Sequence, residues 1–118
     1  MTSLVACLGA GKGTWNYLKE LILREQWDSV FLVTDLFGSQ NFNCGRKVDF
    51  ILVDEESQLA DMVKGIKEQL NGRIKDLDVA FNLVSGSGKE HMAVLSALLQ
   101  LGLGIRLVAL SESGIIEV

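Results

Sequence analysis

The sequence predicts an α/β fold from three observations. Short apolar segments alternate along the chain with segments whose apolar residues recur every three or four positions. Such alternation indicates strands that are joined by helices. The strand-like segments are apolar without interruption, which is typical of strands buried on both faces of a parallel sheet. The chain has 118 residues, of which 48% are apolar, and this suits a single domain over residues 1–118 with one core.

The first half of the chain supplies three of the expected strands. Residues 3–8 form a short apolar run that ends in a glycine-rich turn at residues 9–14. A helix follows, because the next apolar residues have helical spacing; they are Trp15, Leu18, Leu21 and Ile22. Residues 29–33 and 48–53 are the second and third strands. The polar segment 34–47 between them has no clear periodicity, so the sequence leaves its conformation open, including a short helix.

The second half repeats the alternation. An amphipathic helix that ends at Asn71 is marked by Leu59, Met62, Val63, Ile66 and Leu70. A strand at residues 79–84, a helix at 92–101 and a strand at 105–110 come next, and residues 115–118 fold back as a short edge strand. These elements predict a three-layer, Rossmann-like sandwich. Its sheet is mainly parallel, with a strand order near 3-2-1-4-5, right-handed crossovers and an antiparallel C-terminal edge strand.

Charge and composition argue against several classes of protein. The net charge of −4 argues against binding of duplex nucleic acid, which requires an extended basic surface. No stretch is apolar enough to span a bilayer, and no basic region precedes the first apolar run, so we expect a soluble, cytoplasmic protein. Cys7 lies in an apolar strand and Cys44 in a polar loop, and there is one histidine. We therefore predict neither a disulfide framework nor a metal site, and no cofactor.

The turn after the fourth strand has the features of an anion site. Ser85, Gly86, Ser87 and Gly88 interrupt the apolar strand, and an apolar helix follows. The start of a helix leaves backbone N–H groups without partners, and the helix dipole makes that end positive. Lys89 adds a cation beside them. The sequence therefore predicts a site for an anion, most simply a phosphate.

The turn after the first strand invites a second nucleotide-binding interpretation. Residues 9–14 resemble the phosphate loop of adenylate kinases, but Ala6 and Gly13 stand where the full pattern requires Gly and Ser or Thr. Asp54 follows an apolar strand, as an acidic magnesium ligand would, although it could instead cap the next helix. A small, magnesium-dependent nucleotide phosphohydrolase is thus an alternative function.

The two turns are expected to meet. The first and fourth strands of a doubly wound sheet are commonly neighbours where the strand order reverses, and ligands bind there. Lys12 and Thr14 would then face Ser85, Ser87 and Lys89 across one crevice. Two anion sites side by side suit a ligand that carries several phosphates.

The segment from Asn82 to Met92 resembles the second motif of CARF domains, the Rossmann-like sensors associated with CRISPR systems. The family pattern is roughly Asn, an apolar residue, Thr, Gly, Gly, Thr, Lys, one further residue and Met. Here Asn82 stands one residue too far from Ser85, and Ser87 and Gly88 replace Gly and Thr. The resemblance implies a single-domain, antiviral-defence protein that binds a cyclic oligoadenylate across a homodimer. Some members cleave the ring without a metal, with a ribose 2′-OH as the nucleophile, so this resemblance also implies a ring nuclease.

The resemblance assigns roles to individual residues. Lys89 would stabilise charge on the phosphate, and Ser87 would orient it, as the catalytic pair. The expected ligand-binding residues are Gly9, Gly11, Lys12, Thr14, Asn82, Ser85, Gly86, Gly88 and His91. For Asn82, a structural hydrogen bond in the buried strand is an equal alternative.

The last helix predicts a second copy of the chain. Almost every position from Met92 to Leu101 is apolar, and a helix that is apolar all round is buried all round. A single sheet covers one side only, so the other side is expected to form a two-fold dimer. An enclosed helix in a monomer, and a non-catalytic dimeric scaffold, are the alternatives.

Overall fold

The computed structural model describes residues 2–118, apart from the side chain of Lys12. The strands are β1 (Ser3–Cys7), β2 (Val30–Thr34), β3 (Asp49–Leu52), β4 (Asp78–Asn82), β5 (Gly104–Ser111) and β6 (Gly114–Glu117). The helices are α1 (Trp15–Arg24), α2 (Leu36–Asn41), α3 (Leu59–Leu70) and α4 (Gly88–Gln100), and a 3-10 turn, Lys12–Thr14, precedes α1.

The six strands form one sheet in the order β3-β2-β1-β4-β5-β6. All neighbouring pairs are parallel except β5 and β6, which are antiparallel. The predicted fold class, strand order and antiparallel edge strand are therefore confirmed. In the centre of the sheet, Ala6 of β1 lies opposite Leu32 of β2 and Asn82 of β4. The turns that follow β1 and β4 consequently leave the same edge of the sheet side by side.

Helices cover both faces of the sheet. On one face α1 packs with Trp15, Leu18, Leu21 and Ile22, the four residues that the helical spacing predicted to be buried. On the other face α3 and α4 pack against each other and against the side chains of β1, β2 and β4. Cys7 is fully buried among them, as predicted. None of the helices within residues 2–118 is both long and apolar enough to cross a membrane.

The segment that the sequence left open contains α2. The carboxylate of Asp35 caps this helix by accepting from the Gly38 amide at 2.9 Å. Thr34 donates its hydroxyl to the Leu8 carbonyl at 3.0 Å, and a Cβ on Gly38 would lie 2.0 Å from that hydroxyl oxygen. The start of α2 is thus fitted closely to the end of β2.

Helix α4 differs from its prediction at its start. It begins at Gly88 rather than Met92, because Ser87 and Glu90 form a capping box that stabilises an earlier first turn. As expected, the sheet of one chain covers only one side of this helix: Met92 is 57% exposed and Leu99 61% exposed, and Leu95 is exposed as well. The rest of the chain does not enclose α4, and one of its apolar faces stays uncovered.

The outer edge of β3 is covered by a side chain. Gln69 of α3 accepts from the Leu52 amide at 2.9 Å and donates to the Leu52 carbonyl at 2.8 Å. Its amide group thereby takes the place of a neighbouring strand at this point of the edge.

Candidate functional site

A cleft of about 410 Å³ opens at the carboxyl ends of β1 and β4. These two strands are neighbours at the centre of the sheet. Strands β2 and β3 lie on one side of this pair and β5 and β6 on the other, so the strand order reverses between β1 and β4. Ligands of open α/β sheets bind at such a point. Residues 9–11 and Thr14 line one side of the cleft, residues 84–87 and Glu90 line the other, and Glu55 comes from the loop after β3.

Ser85 joins the two turns. Its hydroxyl oxygen accepts from the Gly9 amide at 2.8 Å and from the Thr14 hydroxyl at 2.6 Å. Ser85 is 2% exposed, so these hydrogen bonds are shielded from water. The structure thus brings together Thr14 and Ser85, which the sequence expected to face each other across one crevice.

Two glycines allow the turns to approach each other. Gly86 has φ of +99°, and a Cβ there would lie 2.7 Å from the Cβ of Cys7. A Cβ on Gly9 would lie 3.1 Å from the Gly86 nitrogen. Neither position accommodates a side chain without movement of the backbone. The close contact between the turns therefore depends on Gly at both places.

The capping box occupies one of the backbone amides that were expected to bind an anion, the amide of Ser87. Glu90 accepts from the Ser87 amide at 2.7 Å, and the Ser87 hydroxyl accepts from the Glu90 amide at 3.2 Å. The amides of Gly88 and Lys89 lie in the first turn, where the helix itself supplies no acceptor. Glu90 also places a carboxyl group at the positive end of the helix. The sequence reasoning missed Glu90, although Ser followed three residues later by Glu is the signature of a capping box.

Lys89 does not occupy the position that its predicted catalytic role requires. Its ammonium group donates to the carbonyl of Glu55 at 2.9 Å and to the carbonyl of Ser57. Both carbonyls belong to the loop between β3 and α3. In this structure Lys89 connects that loop to α4 and is not among the described residues that line the cleft. Stabilisation of a phosphate by Lys89 would first require its release from the loop.

Asn82 and His91 support the site from outside the cleft. Asn82 is buried, and its side chain donates to the Val108 carbonyl at 2.8 Å and accepts from the Val84 amide at 3.1 Å. These are the structural hydrogen bonds that the sequence left open as an alternative to ligand contact. The ring Nε2 of His91 donates to the Ser85 carbonyl at 2.8 Å. Both side chains therefore fix the turn after β4 rather than line the cleft.

The remaining predicted ligand residues differ in position. Gly11 lines the cleft, and a Cβ there would meet nothing within 4 Å. Gly88 is equally unobstructed but belongs to the helix start. The side chain of Lys12 lies outside the described residues. Trp15 is buried, and its indole N–H donates to the Gly9 carbonyl at 2.9 Å. This hydrogen bond ties the turn after β1 to the core.

A pair of carboxyl groups is the feature that the sequence reasoning did not find. Glu55 and Glu90 both line the cleft. Hydrogen bonding to Glu90, burial and the charges of Glu90 and Asp35 raise the pKa of Glu55 to about 7, while Lys89 acts in the opposite direction. The sequence pointed instead to Asp54, whose carboxylate accepts from the Glu56 amide at 2.9 Å in a local turn. Asp54 does not cap α3, which begins at Leu59.

The fold and the cleft define the class of this protein: a three-layer α/β domain with a polar cleft where its strand order reverses. No protein-family model and no curated protein matches the sequence. Among solved structures, the fold is similar to that of protein VC1899 from Vibrio cholerae, with a TM-score of 0.66 and 14% sequence identity. The similarity covers 99% of this chain and 33% of the VC1899 chain, so the chain spans a third of that protein. At this identity the similarity shows the fold alone.

Proposed function

We propose that this chain binds a cyclic oligoadenylate in the cleft between β1 and β4, in the manner of the CARF domains that its sequence resembles. One observation carries the proposal. The two turns that the resemblance singles out are joined through Ser85, and the cleft between them is lined by hydroxyl and backbone groups together with the carboxyl groups of Glu55 and Glu90. Hydroxyls and glycine amides are suited to phosphates and to ribose hydroxyls.

The open face of α4 supports the homodimer that the proposal includes. Met92, Leu95 and Leu99 are exposed along this face. A second apolar cleft of about 270 Å³ lies on the neighbouring strands and includes Val84 and Leu107. Exposed apolar surface of this kind is typical of an interaction site. The same helix starts at the cleft, so a dimer formed through α4 would place two clefts near the two-fold axis.

Ring cleavage is a separate step of the proposal. In-line attack by a ribose 2′-OH requires a group that stabilises charge on the phosphate. Lys89 can supply it only after leaving the carbonyls of Glu55 and Ser57. Binding without cleavage is therefore the expected behaviour of the conformation described above.

The test measures the melting temperature with cyclic tri-, tetra- and hexa-adenylate, ATP with magnesium, and NAD, because a ligand of the native state raises it. Gly11→Glu places a carboxylate in the cleft without a steric conflict, and Gly13→Glu is the matched control, since neither Cβ would meet an atom within 4 Å. We expect one cyclic oligoadenylate to stabilise the wild type and Gly13→Glu but not Gly11→Glu.

Two results would count against the proposal. Stabilisation by ATP with magnesium alone would favour the phosphohydrolase, and no stabilisation by any compound would favour the non-catalytic scaffold. Chromatography of the ligand after incubation with EDTA separates binding from metal-independent cleavage.

A further inference from the structure

Phe37, in the first turn of α2, is the exposed aromatic residue of the chain. Its side chain is 46% exposed, whereas every other aromatic residue within 2–118 is buried or half-buried. Its neighbour Leu36 is 61% exposed. Two consecutive large apolar side chains therefore form a small apolar patch at the surface, and such a patch is typical of a contact site.

The start of α2 lies beside the cleft. Strand β2 is placed between β1 and β3 in the sheet, and the segments that follow β1 and β3 both contribute residues to the lining of the cleft. At the end of β2, Thr34 donates its hydroxyl to the Leu8 carbonyl at 3.0 Å and accepts from the Val53 amide at 2.9 Å. Helix α2 consequently begins between two segments that line the cleft.

Trp15 connects Phe37 with the wall of the cleft. The centroids of the Trp15 and Phe37 rings are 6.3 Å apart. The indole N–H of Trp15 donates to the carbonyl of Gly9, which lines the cleft. Trp15 is buried, and Phe42 packs edge-to-face against it with the centroids 5.6 Å apart. Phe37 is thus supported by a fixed, buried ring that also contacts the cleft wall.

The cleft itself has no flat apolar surface within the described part of the chain. None of the described residues that line it is aromatic, and its polar groups are hydroxyls, backbone amides and two carboxyl groups. Such groups suit phosphates and ribose, whereas nucleobases bind to proteins largely by stacking on aromatic side chains. A nucleotide whose phosphate lies in this cleft finds an exposed aromatic surface at Phe37.

We propose that Phe37 is a stacking platform for a nucleobase of the ligand, and that Leu36 extends its apolar surface. This inference rests on the proposed function, because it assigns an adenine of the cyclic oligoadenylate to this position. Stacking does not depend on charge, so it adds affinity in a cleft that contains the carboxyl groups of Glu55 and Glu90. Every base has a face that can stack, so Phe37 holds the base without distinguishing adenine from other bases.

The first test measures the affinity for cyclic tri-, tetra- and hexa-adenylate by titration calorimetry. Phe37→Leu keeps an apolar side chain but removes the aromatic face, and we expect binding about 5- to 100-fold weaker than in the wild type. Phe37→Tyr keeps the face and should bind as the wild type does. Leu23→Ala, which removes apolar surface from a 59% exposed position of α1, is the control and should also bind normally. Equal affinities of Phe37→Leu and the wild type would overturn the platform and leave the proposed function standing.

The second test records the Trp15 indole signal in proton–nitrogen NMR spectra with adenosine and with ribose, neither of which carries a phosphate. A base stacked on Phe37 changes the magnetic environment of Trp15, because the two side chains are in contact. We expect a shift with adenosine in the wild type and in Phe37→Tyr, and none with ribose or in Phe37→Leu.

The two tests separate the platform from the proposed function. If no cyclic oligoadenylate binds the wild type, the proposed function is overturned, and the adenosine spectra still decide the platform. An adenosine shift that Phe37→Leu abolishes supports a nucleobase site at α2. No shift in the wild type, or an equal shift in Phe37→Leu, overturns it.

Discussion

The amide of Gly9 donates to the hydroxyl of Ser85 at 2.8 Å, across 76 residues of sequence. This hydrogen bond joins the turn after β1 to the turn after β4, and Thr14 strengthens the junction by donating to the same oxygen. The two sides of the cleft are therefore held together by one buried side chain rather than by the strands alone.

Replacement of Ser85 should therefore destabilise the fold and disturb the cleft together. Ser85→Ala removes the acceptor of the Gly9 amide and the Thr14 hydroxyl, and we expect a loss of about 1–3 kcal/mol in the free energy of unfolding. Thr14→Val removes one donor and should cost about 0.5–1.5 kcal/mol. Urea denaturation measures both. Equal stability of Ser85→Ala and the wild type would show that the junction is dispensable.

Two glycines of the same segment should respond differently to alanine. Gly86→Ala combines a positive φ with a Cβ 2.7 Å from Cys7, and we expect a loss of about 1–3 kcal/mol or more. Gly88→Ala meets nothing within 4 Å in the first turn of α4, so stability should be unchanged or rise by up to about 1 kcal/mol. Thermal unfolding of the two variants provides the comparison, and similar losses would contradict the geometry.

The stability of the protein should fall as the pH rises toward neutrality because of Glu55. Its pKa is about 7 in the folded chain against an ordinary value of 4.5, so the folded state binds the proton more tightly. The stabilisation is complete below pH 4.5 and is lost as the pH passes through 7. With allowance for solvent screening, it is on the order of 1 kcal/mol. Urea denaturation at a series of pH values should show this slope in the wild type and a weaker one in Glu55→Gln.

Replacement of Lys89 should mainly affect the order of the loop between β3 and α3, residues 53–58. Lys89→Met keeps the length of the side chain but removes its donors to the Glu55 and Ser57 carbonyls, so we expect faster hydrogen exchange at residues 53–58. The expected loss of stability is about 0.5–1.5 kcal/mol. Lys64→Met on the exposed side of α3 is the control. Unchanged exchange in the loop would mean that these two contacts do not order it.

The exposed face of α4 can be tested by charge insertion. Leu99→Asp should shift a dimer toward monomer, because an unpaired carboxylate in an apolar interface is costly. Leu77→Asp is the matched control, since Leu77 is 90% exposed and lies before β4. Sedimentation equilibrium measures the association. A wild-type monomer, or a Leu99→Asp variant that dimerises as strongly as the wild type, would contradict the proposed interface.

The topology was predictable because the strands are short, apolar and separated by helical periodicity. The start of α4 was predicted four residues too late, since the apolar pattern begins at Met92 while Ser87 and Glu90 stabilise the turn before it. Helix α2 has no apolar period, and it depends on the Asp35 cap and on the fit of Gly38 against Thr34. Local capping, rather than hydrophobic pattern, thus decided the elements that the sequence left out or misplaced.

The sequence predicted where the candidate site lies in the sheet but not the positions of all its side chains. The meeting of the turns follows from sheet order, so Thr14 and Ser85 were identified together. The position of Lys89 was not predictable, because a long side chain reaches whichever carbonyls the tertiary fold brings near it. The presence of both Glu55 and Glu90 in the cleft was not predictable for the same reason, since the two residues lie on segments far apart in sequence.

The side chain of Gln69 protects one margin of the sheet at a single point. Its amide group pairs with the amide and the carbonyl of Leu52 on the outer side of β3. A further strand that approached β3 would find these two groups already paired, so extension of the sheet is hindered at this margin.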